Sequence, residues 1–479
     1  MLFNSFEFVL FFAVVFIVHN ILMKERTVLQ NIFLLAASYF FYGYADLKML
    51  PLLVTATLVF YFLGIAIGKA ESDRANNILS FIGIAAGVGI LLYFKYLNFF
   101  IDSFAKMFES WGLHTNLHTF KIVMPLGISF FTFRLISYIV EVHRGTMEPT
   151  RDLVSFATYI AFFPCILSGP IDRPDFMDQL QKKHVFDYGM GVDGMRQILW
   201  GLFKKCVIAD NCALYVDRVW DNLASMSGST LAFAAIIYAF QLYADFSGYS
   251  DMAIGIGKLL GFKITANFKY PFFATNIADF WRRWHISLTS WVTDYVFMPL
   301  NIMFRGMGKF GIILAIMINM LIVGMWHEAN WTCFVYGLYH GLLFVPLILS
   351  GNFFKKSQLE TNRLGLPIFK DFGKMLLTFL LVTLSFIIFR ADNISMAWGY
   401  LKDIFTPSLF SKPDASGITG LVVAIILMIV LEWMQRYKEH ALDLTNVKST
   451  ILRFGIYYLI LFITFALGGH TENFIYFQF

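Results

Sequence analysis

The sequence predicts an all-α integral membrane protein, a polytopic bundle of roughly 11–13 membrane helices including short re-entrant ones. Three observations carry this. Charged residues make up only 14% of the 479 residues, against about 25% in an ordinary soluble domain, too few to cover a soluble surface. Hydrophobic residues reach 58%, 55 of them Phe, and the mean hydropathy is +0.65. Runs such as Ser5 to Met23 and Met49 to Ile67 are long enough to cross a hydrocarbon core at about 1.5 Å per residue. Backbone amides in lipid must be satisfied internally, so these runs form helices. The strict alternation of a membrane β-barrel is absent from the sequence.

In chain order, the apolar runs place helices near 5–23, 29–45, 49–67, 78–94, 122–140 and 153–168. Later ones fall near 195–215, 230–244, 310–326, 331–350, 373–389, 417–435 and 452–468. The shorter runs imply tilted or re-entrant segments. The first run carries Glu7 and is followed by Lys24 and Arg26, so it reads as a spanning helix and not a cleaved leader. Positive charge favours the cytoplasm, which puts that basic turn inside and the N-terminus outside. The same alternation sets Lys69, Arg74, Arg144 and Arg151 inside but Lys95, Lys106 and Lys121 outside. The longest polar loop is near 351–371. No internal repeat is visible, so the chain is expected to form one integrated membrane domain. Its parts are N-terminal peripheral helices (1–150), a central core (151–400) and C-terminal helices (401–479).

The four cysteines, Cys165, Cys206, Cys212 and Cys333, form no CxxC pair. They read as small packed hydrophobes, and no metal site is expected. The net charge of +5 fits cytoplasmic anchoring in a membrane protein, and no nucleic-acid partner is expected. Gly255, Gly257 and Gly261 have the wrong last spacing for a dinucleotide loop, and Leu259 after Lys258 excludes a phosphate-binding P-loop. No Gly-x-Ser-x-Gly nucleophile elbow occurs.

Ionisable residues at membrane depth are costly and raise a functional reading. Three polar stretches stand out: 241–251, containing Asp245 and Asp251; 276–291, containing Arg282, Arg283, Trp284 and His285; and 324–331, containing Trp326, His327 and Glu328. His327 sits at a break between two apolar runs, where an imidazole is suited to take up and return a proton. The competing account is an interfacial histidine beside tryptophans of the membrane belt. Arg282 and Arg283 suit the phosphates of an anionic donor; the alternative is an interfacial helix with snorkelling arginines. His340 lies thirteen residues past His327, about 140° around a helix, so the two do not pair on one metal. Gly337 and Gly341 beside it read as a helix-packing pair.

Taken together these stretches resemble the membrane-bound O-acyltransferase (MBOAT) family, in its bacterial alginate and polysaccharide acetylation branch. The resemblance rests on Leu-Ser-Gly-Pro-Ile at 167–171, Asp-Phe-Ser-Gly-Tyr-Ser-Asp-Met-Ala-Ile-Gly at 245–255 and Asn-Phe-Lys-Tyr-Pro-Phe at 267–272. It continues in Asp-Phe-Trp-Arg-Arg-Trp-His-Ile-Ser-Leu at 279–288, Trp-His at 326–327, Phe-Arg-Ala at 389–391 and the closing Phe-Ile-Tyr-Phe-Gln-Phe at 474–479. It implies helices around a central tunnel, with His327 matching the family's essential histidine and His285 its second. Arg282, Arg283, Trp284, Trp326, Asp245, Asp251 and Asn267 are then expected to line the donor side and the tunnel. One departure is Glu328, where the family usually has Gly after Trp-His. It either tunes the histidine or acceptor choice, or points to water.

The resemblance implies a cytosolic thioester donor, acetyl-CoA, with no permanently bound cofactor. It also implies residence in the bacterial inner membrane and an extracytoplasmic SGNH-type acetyltransferase partner that modifies an exported polysaccharide such as alginate. Two alternatives stay open: D-alanyl transfer to teichoic acid from a carrier-protein thioester, and a transporter or flippase for a lipid-linked sugar.

Overall fold

The computed structural model describes residues 1–113, 119–356, 359–468, 472, 474 and 475. Residues 476–479 of the closing aromatic run lie outside them. Among the described residues every regular element is a helix, apart from one isolated antiparallel bridge between Thr361 and Pro367. Among the described residues seven helical runs are long and apolar enough to cross a membrane. They are Thr27–Gly68, Asp73–Ser110, Gly228–Leu259, Arg305–His327, Trp331–Leu349, Phe369–Arg390 and Thr450–Leu467, with Phe6–Leu22 and Thr419–Met434 as shorter apolar helices. The protein is a multi-pass membrane protein.

Several boundaries differ from the hydropathy reading. The 153–168 run is helical only over Leu153–Ala161, and the chain then turns at Pro164, whose ring cannot continue a helix without losing a hydrogen bond. The 122–140 run starts late, at Ile128, behind Pro125 and a left-handed Gly127. A Cβ on Gly127 would lie 2.2 Å from the Ile166 carbonyl oxygen, so only glycine fits there. The 230–244 run continues through the polar stretch to Leu259. Helix survives there because its carboxylates face lysines, as set out below. Amphipathic Leu97–Ser110 and Ile394–Ile404 carry too many polar residues for a hydropathy run and were not expected.

The described chain divides into two compact units, Met1–Gly194 with Ala253–Thr265, and Met195–Met252 with Ala266–Phe479. In the first, buried amides tie irregular backbone to helices. Gln30 donates to the carbonyls of His19 and His184, and Asn31 to that of Leu180. Arg134, almost fully buried, donates to the carbonyls of Tyr159, Ile160 and Pro170, which keeps those groups paired at the non-helical 162–175 turn. In the second unit, Gly308–His327 and Trp331–Leu349 pack in close contact. A Cβ on Gly324 would fall 2.2 Å from the Cys333 carbonyl oxygen, and one on Gly337 2.4 Å from that of Met320. The small-residue packing expected at Gly337 and Gly341 is thus realised, with Gly324 as its partner.

Candidate active site

The site lies wholly within the second unit. Gly308–His327 ends on His327 itself, and Glu328 takes an extended conformation. The break comes from Glu328, Ala329 and Asn330. Asn330 accepts a hydrogen bond from Thr332 N–H and so caps the next helix. His327 is 5% exposed and surrounded by rings: Trp326 at 5.1 Å, Phe389 at 5.3 Å and Tyr336 at 6.3 Å between centroids.

His285 is fully buried and sits between two short helices, Ile277–Trp281 and Ile286–Val292. Its φ of +45° is left-handed, a conformation that costs a non-glycine residue about 1–3 kcal/mol and persists only where neighbours over-determine it. Asn267 supplies the constraint. Its carbonyl accepts from Ile286 N–H at 2.8 Å, its side-chain oxygen accepts from Ser287 at 2.5 Å, and its amide donates to Ser250 at 3.1 Å. One turn earlier, Lys269 N–H donates to the Arg283 carbonyl. The 267–269 segment therefore clamps both sides of His285. The imidazole meets Phe246 at 4.7 Å, Trp326 at 5.6 Å and His327 at 6.3 Å. Burial, and then the neighbouring His327, hold the His285 ring well below the usual histidine range, since desolvation disfavours the charged form.

The other expected residues fall into two groups. Trp284, next to His285 in the chain, is buried, stacked on Phe280 and packed on Phe386. Arg283 is engaged by Asp279 at 3.0 Å. Arg282 is exposed and reaches the Lys355 carbonyl at 3.4 Å, which sets it beside the basic 351–371 loop. Asp245 and Asp251 are halves of ion pairs, fully buried at Asp245 and half-buried at Asp251. Lys205 lies 2.7 Å from Asp245 and 2.8 Å from Asp210, and Lys204 lies 2.5 Å from Asp251. Asp245 also accepts the Ile475 N–H, and Lys205 donates to the Glu472 carbonyl, so this network ties down the C-terminal segment. Sequence reasoning passed over Lys204 and Lys205. Two adjacent lysines inside a predicted span were the available signal.

His340 is the other residue the sequence undervalued. Trp281 Nε1 donates to its Nδ1 at 3.2 Å, and its Nε2 lies 3.0 Å from Ser385 Oγ. It pins the 279–288 block to two long helices.

With this geometry in place, similarity to known proteins becomes specific. The family model for the membrane-bound O-acyltransferase family matches residues 148–387. A "Probable alginate O-acetylase AlgI" of Pseudomonas aeruginosa is 36% identical over 90% of this chain and 80% of its own length. The chain belongs to the MBOAT family. A "Peptidoglycan O-acetyltransferase" of Helicobacter pylori is 32% identical over 84% of this chain and 79% of its own length. A "Teichoic acid D-alanyltransferase" of Streptococcus thermophilus is 26% identical over 76% of this chain and 95% of its own length. This MBOAT protein is a membrane O-acyltransferase, and the matched span contains the 279–288 block, His327 and His340.

Proposed function

We propose that the chain passes an acetyl group from cytosolic acetyl-CoA across the bacterial inner membrane for O-acetylation of an exported polysaccharide such as alginate. The observation that carries this reading is the His285–His327 pair, buried together 6.3 Å apart inside an aromatic wall. The thioester docks on the side of exposed Arg282, and its acyl end reaches the pair through a tunnel past Trp284, Trp326 and Asn267. His327 takes the proton from an acceptor hydroxyl as the oxygen attacks the thioester carbonyl. The C–S bond breaks, the new C–O ester bond remains, and the proton passes to the departing thiolate. A positioned base of this kind contributes about 10²–10⁴-fold in rate, and a water-excluding wall protects the thioester from hydrolysis. His285, held neutral beside it, orients His327 or relays its proton. The acceptor is an extracytoplasmic SGNH-type acetyltransferase, which hands the group to the glycan. No bound cofactor is required, since the donor thioester is itself the activated group.

The test is transfer of labelled acetyl from acetyl-CoA by purified protein reconstituted with its extracytoplasmic partner. Label should appear on the partner or glycan with wild type, vanish with His327→Ala and fall with His285→Ala. Full activity in both variants would overturn the mechanism. Label from D-alanyl carrier protein and none from acetyl-CoA would replace the acetyl reading with D-alanyl transfer.

A further inference from the structure

A cleft separate from the histidine pair opens in the second unit between the Phe369–Arg390 and Thr419–Met434 helices. Its volume is about 580 Å³, within the usual range of ligand pockets. Phe240, Phe272 and Phe379 form one wall, Ile429 and Trp433 another, and the 364–367 loop closes an end. Arg436 is its one charged lining residue. Phe272 also packs on Trp284 at 6.3 Å between centroids, and neither His285 nor His327 lines the cleft.

The loop is a built wall. Thr361 and Pro367 form a bridge, Asn362 N–H donates to the Leu366 carbonyl, and Trp433 Nε1 donates to the Gly365 carbonyl at 3.1 Å. Around it, Leu364 is 83% exposed and Phe369 91% exposed. Apolar side chains so exposed in a membrane protein face lipid rather than water.

Arg436 is held ready at the rim. Its guanidinium lies 4.5 Å from the Trp433 ring and 4.7 Å from that of Tyr437, and Nη1 donates to the Trp433 carbonyl at 2.8 Å. Among the described residues no carboxylate forms an ion pair with it. Arg363 and Lys370 flank the loop segment, and Lys355 and Lys356 precede it. Lys309 reaches the Leu349 carbonyl, just before that loop. This concentration of positive charge marks the cytoplasmic face and attracts anionic headgroups.

From these observations we infer that the cleft binds the acyl chain of an anionic phospholipid whose phosphate sits on Arg436. Aliphatic chain matches the lining, which offers almost no free hydrogen-bonding groups: the indole N–H of Trp433 is already committed to Gly365. The pantetheine arm of a thioester donor fits worse, because its two amides would be buried without partners. Arginine suits the phosphate, presenting a planar fork of donors that pairs two oxygens at once.

The test uses full-length protein purified in mild detergent with mixed phosphatidylglycerol and phosphatidylcholine, read by native mass spectrometry. Wild type should retain one phosphatidylglycerol in preference to phosphatidylcholine. Arg436→Gln should lower that retention about tenfold, and Leu376→Trp, which fills the cleft from its lipid side, should abolish it. Val430→Trp serves as a second cleft-filling variant if Leu376→Trp does not purify as a single species. Equal retention of both lipids, or unchanged retention in either kind of variant, would overturn the site. Displacement of the lipid by acetyl-CoA would overturn it too, by making the cleft a donor entrance. The readout is lipid mass and not acyl transfer, so its failure is distinguishable from failure of the acetyl-transfer reading.

Discussion

Lys204 and Lys205 meet carboxylates at 2.5–2.8 Å deep inside the second unit, whereas His285 and His327, equally buried there, meet aromatic rings at 4.7–6.3 Å. The lysine network sets two cations against three carboxylates, Asp210, Asp245 and Asp251. Its hydrogen bonds run to a neighbouring helix and to the C-terminal segment, so its removal should be felt as lost structure. The histidine pair is matched in shape, with a strained backbone at His285 and a helix end at His327. In the proposed mechanism these imidazoles act on the substrate. Buried polarity thus has two uses in one fold, and burial alone does not separate them.

The sharpest way to break this comparison is to change one member of each cluster. His327→Gln, close in volume, should lower the acyl-transfer rate by about 10²–10⁴-fold with only a small change in melting temperature in detergent. Lys205→Ala should do the reverse. It leaves Asp210 and Asp245 buried without their cation, which typically costs about 3–5 kcal/mol, so Tm should fall steeply while transfer per folded molecule stays within a few-fold of wild type. Transfer lost and Tm kept in Lys205→Ala would move the lysines into the chemistry.

Much of this architecture was legible in the sequence. The long apolar helices follow from hydropathy, since lipid leaves the backbone no other satisfied state. The position of His327 at the break between two apolar helices was legible in the hydropathy pattern; its role was not, because an interfacial histidine leaves the same pattern. What stayed hidden depended on tertiary pairing. The helical state of 245–259 rests on Lys204 and Lys205, which lie some 40 residues earlier in the chain. The pairing of Asp245 and Asp251, expected to line the tunnel, with Lys205 and Lys204 was therefore out of reach. The left-handed φ of His285 was equally out of reach, because it is imposed by Asn267 from across a turn.

Asn267 gives the next largest effect and sharpens the histidine side of the comparison. Asn267→Ala keeps the backbone bond to Ile286 but leaves Ser250 and Ser287 without their amide partner. Losing these buried bonds should cost about 1–3 kcal/mol. If the clamp holds His285 in its strained state, kcat should fall more than KM rises, because the acceptor must still bind but the imidazole is misplaced. A KM effect with kcat intact would make Asn267 a binding residue and not a clamp.

The smallest expected effect separates a latch from a participant at His340. Tryptophan can only donate, so Trp281 Nε1 fixes His340 Nδ1 as the acceptor. Nε2 then carries the hydrogen and donates to Ser385, whose hydroxyl donates onward to the Val382 carbonyl. A neutral, doubly engaged ring of this kind has no proton to give without breaking the chain that orients it. Gln offers one acceptor and one donor group at similar reach. His340→Gln should therefore cost no more than about 1 kcal/mol of stability and retain most transfer. His340→Phe, which strands Trp281 and Ser385, should cost about 1–3 kcal/mol and lower kcat through displacement of the 279–288 block. Equal and complete loss of transfer in both variants, with both folded, would mean that the imidazole itself is needed, and His340 would join His285 and His327 in the chemistry.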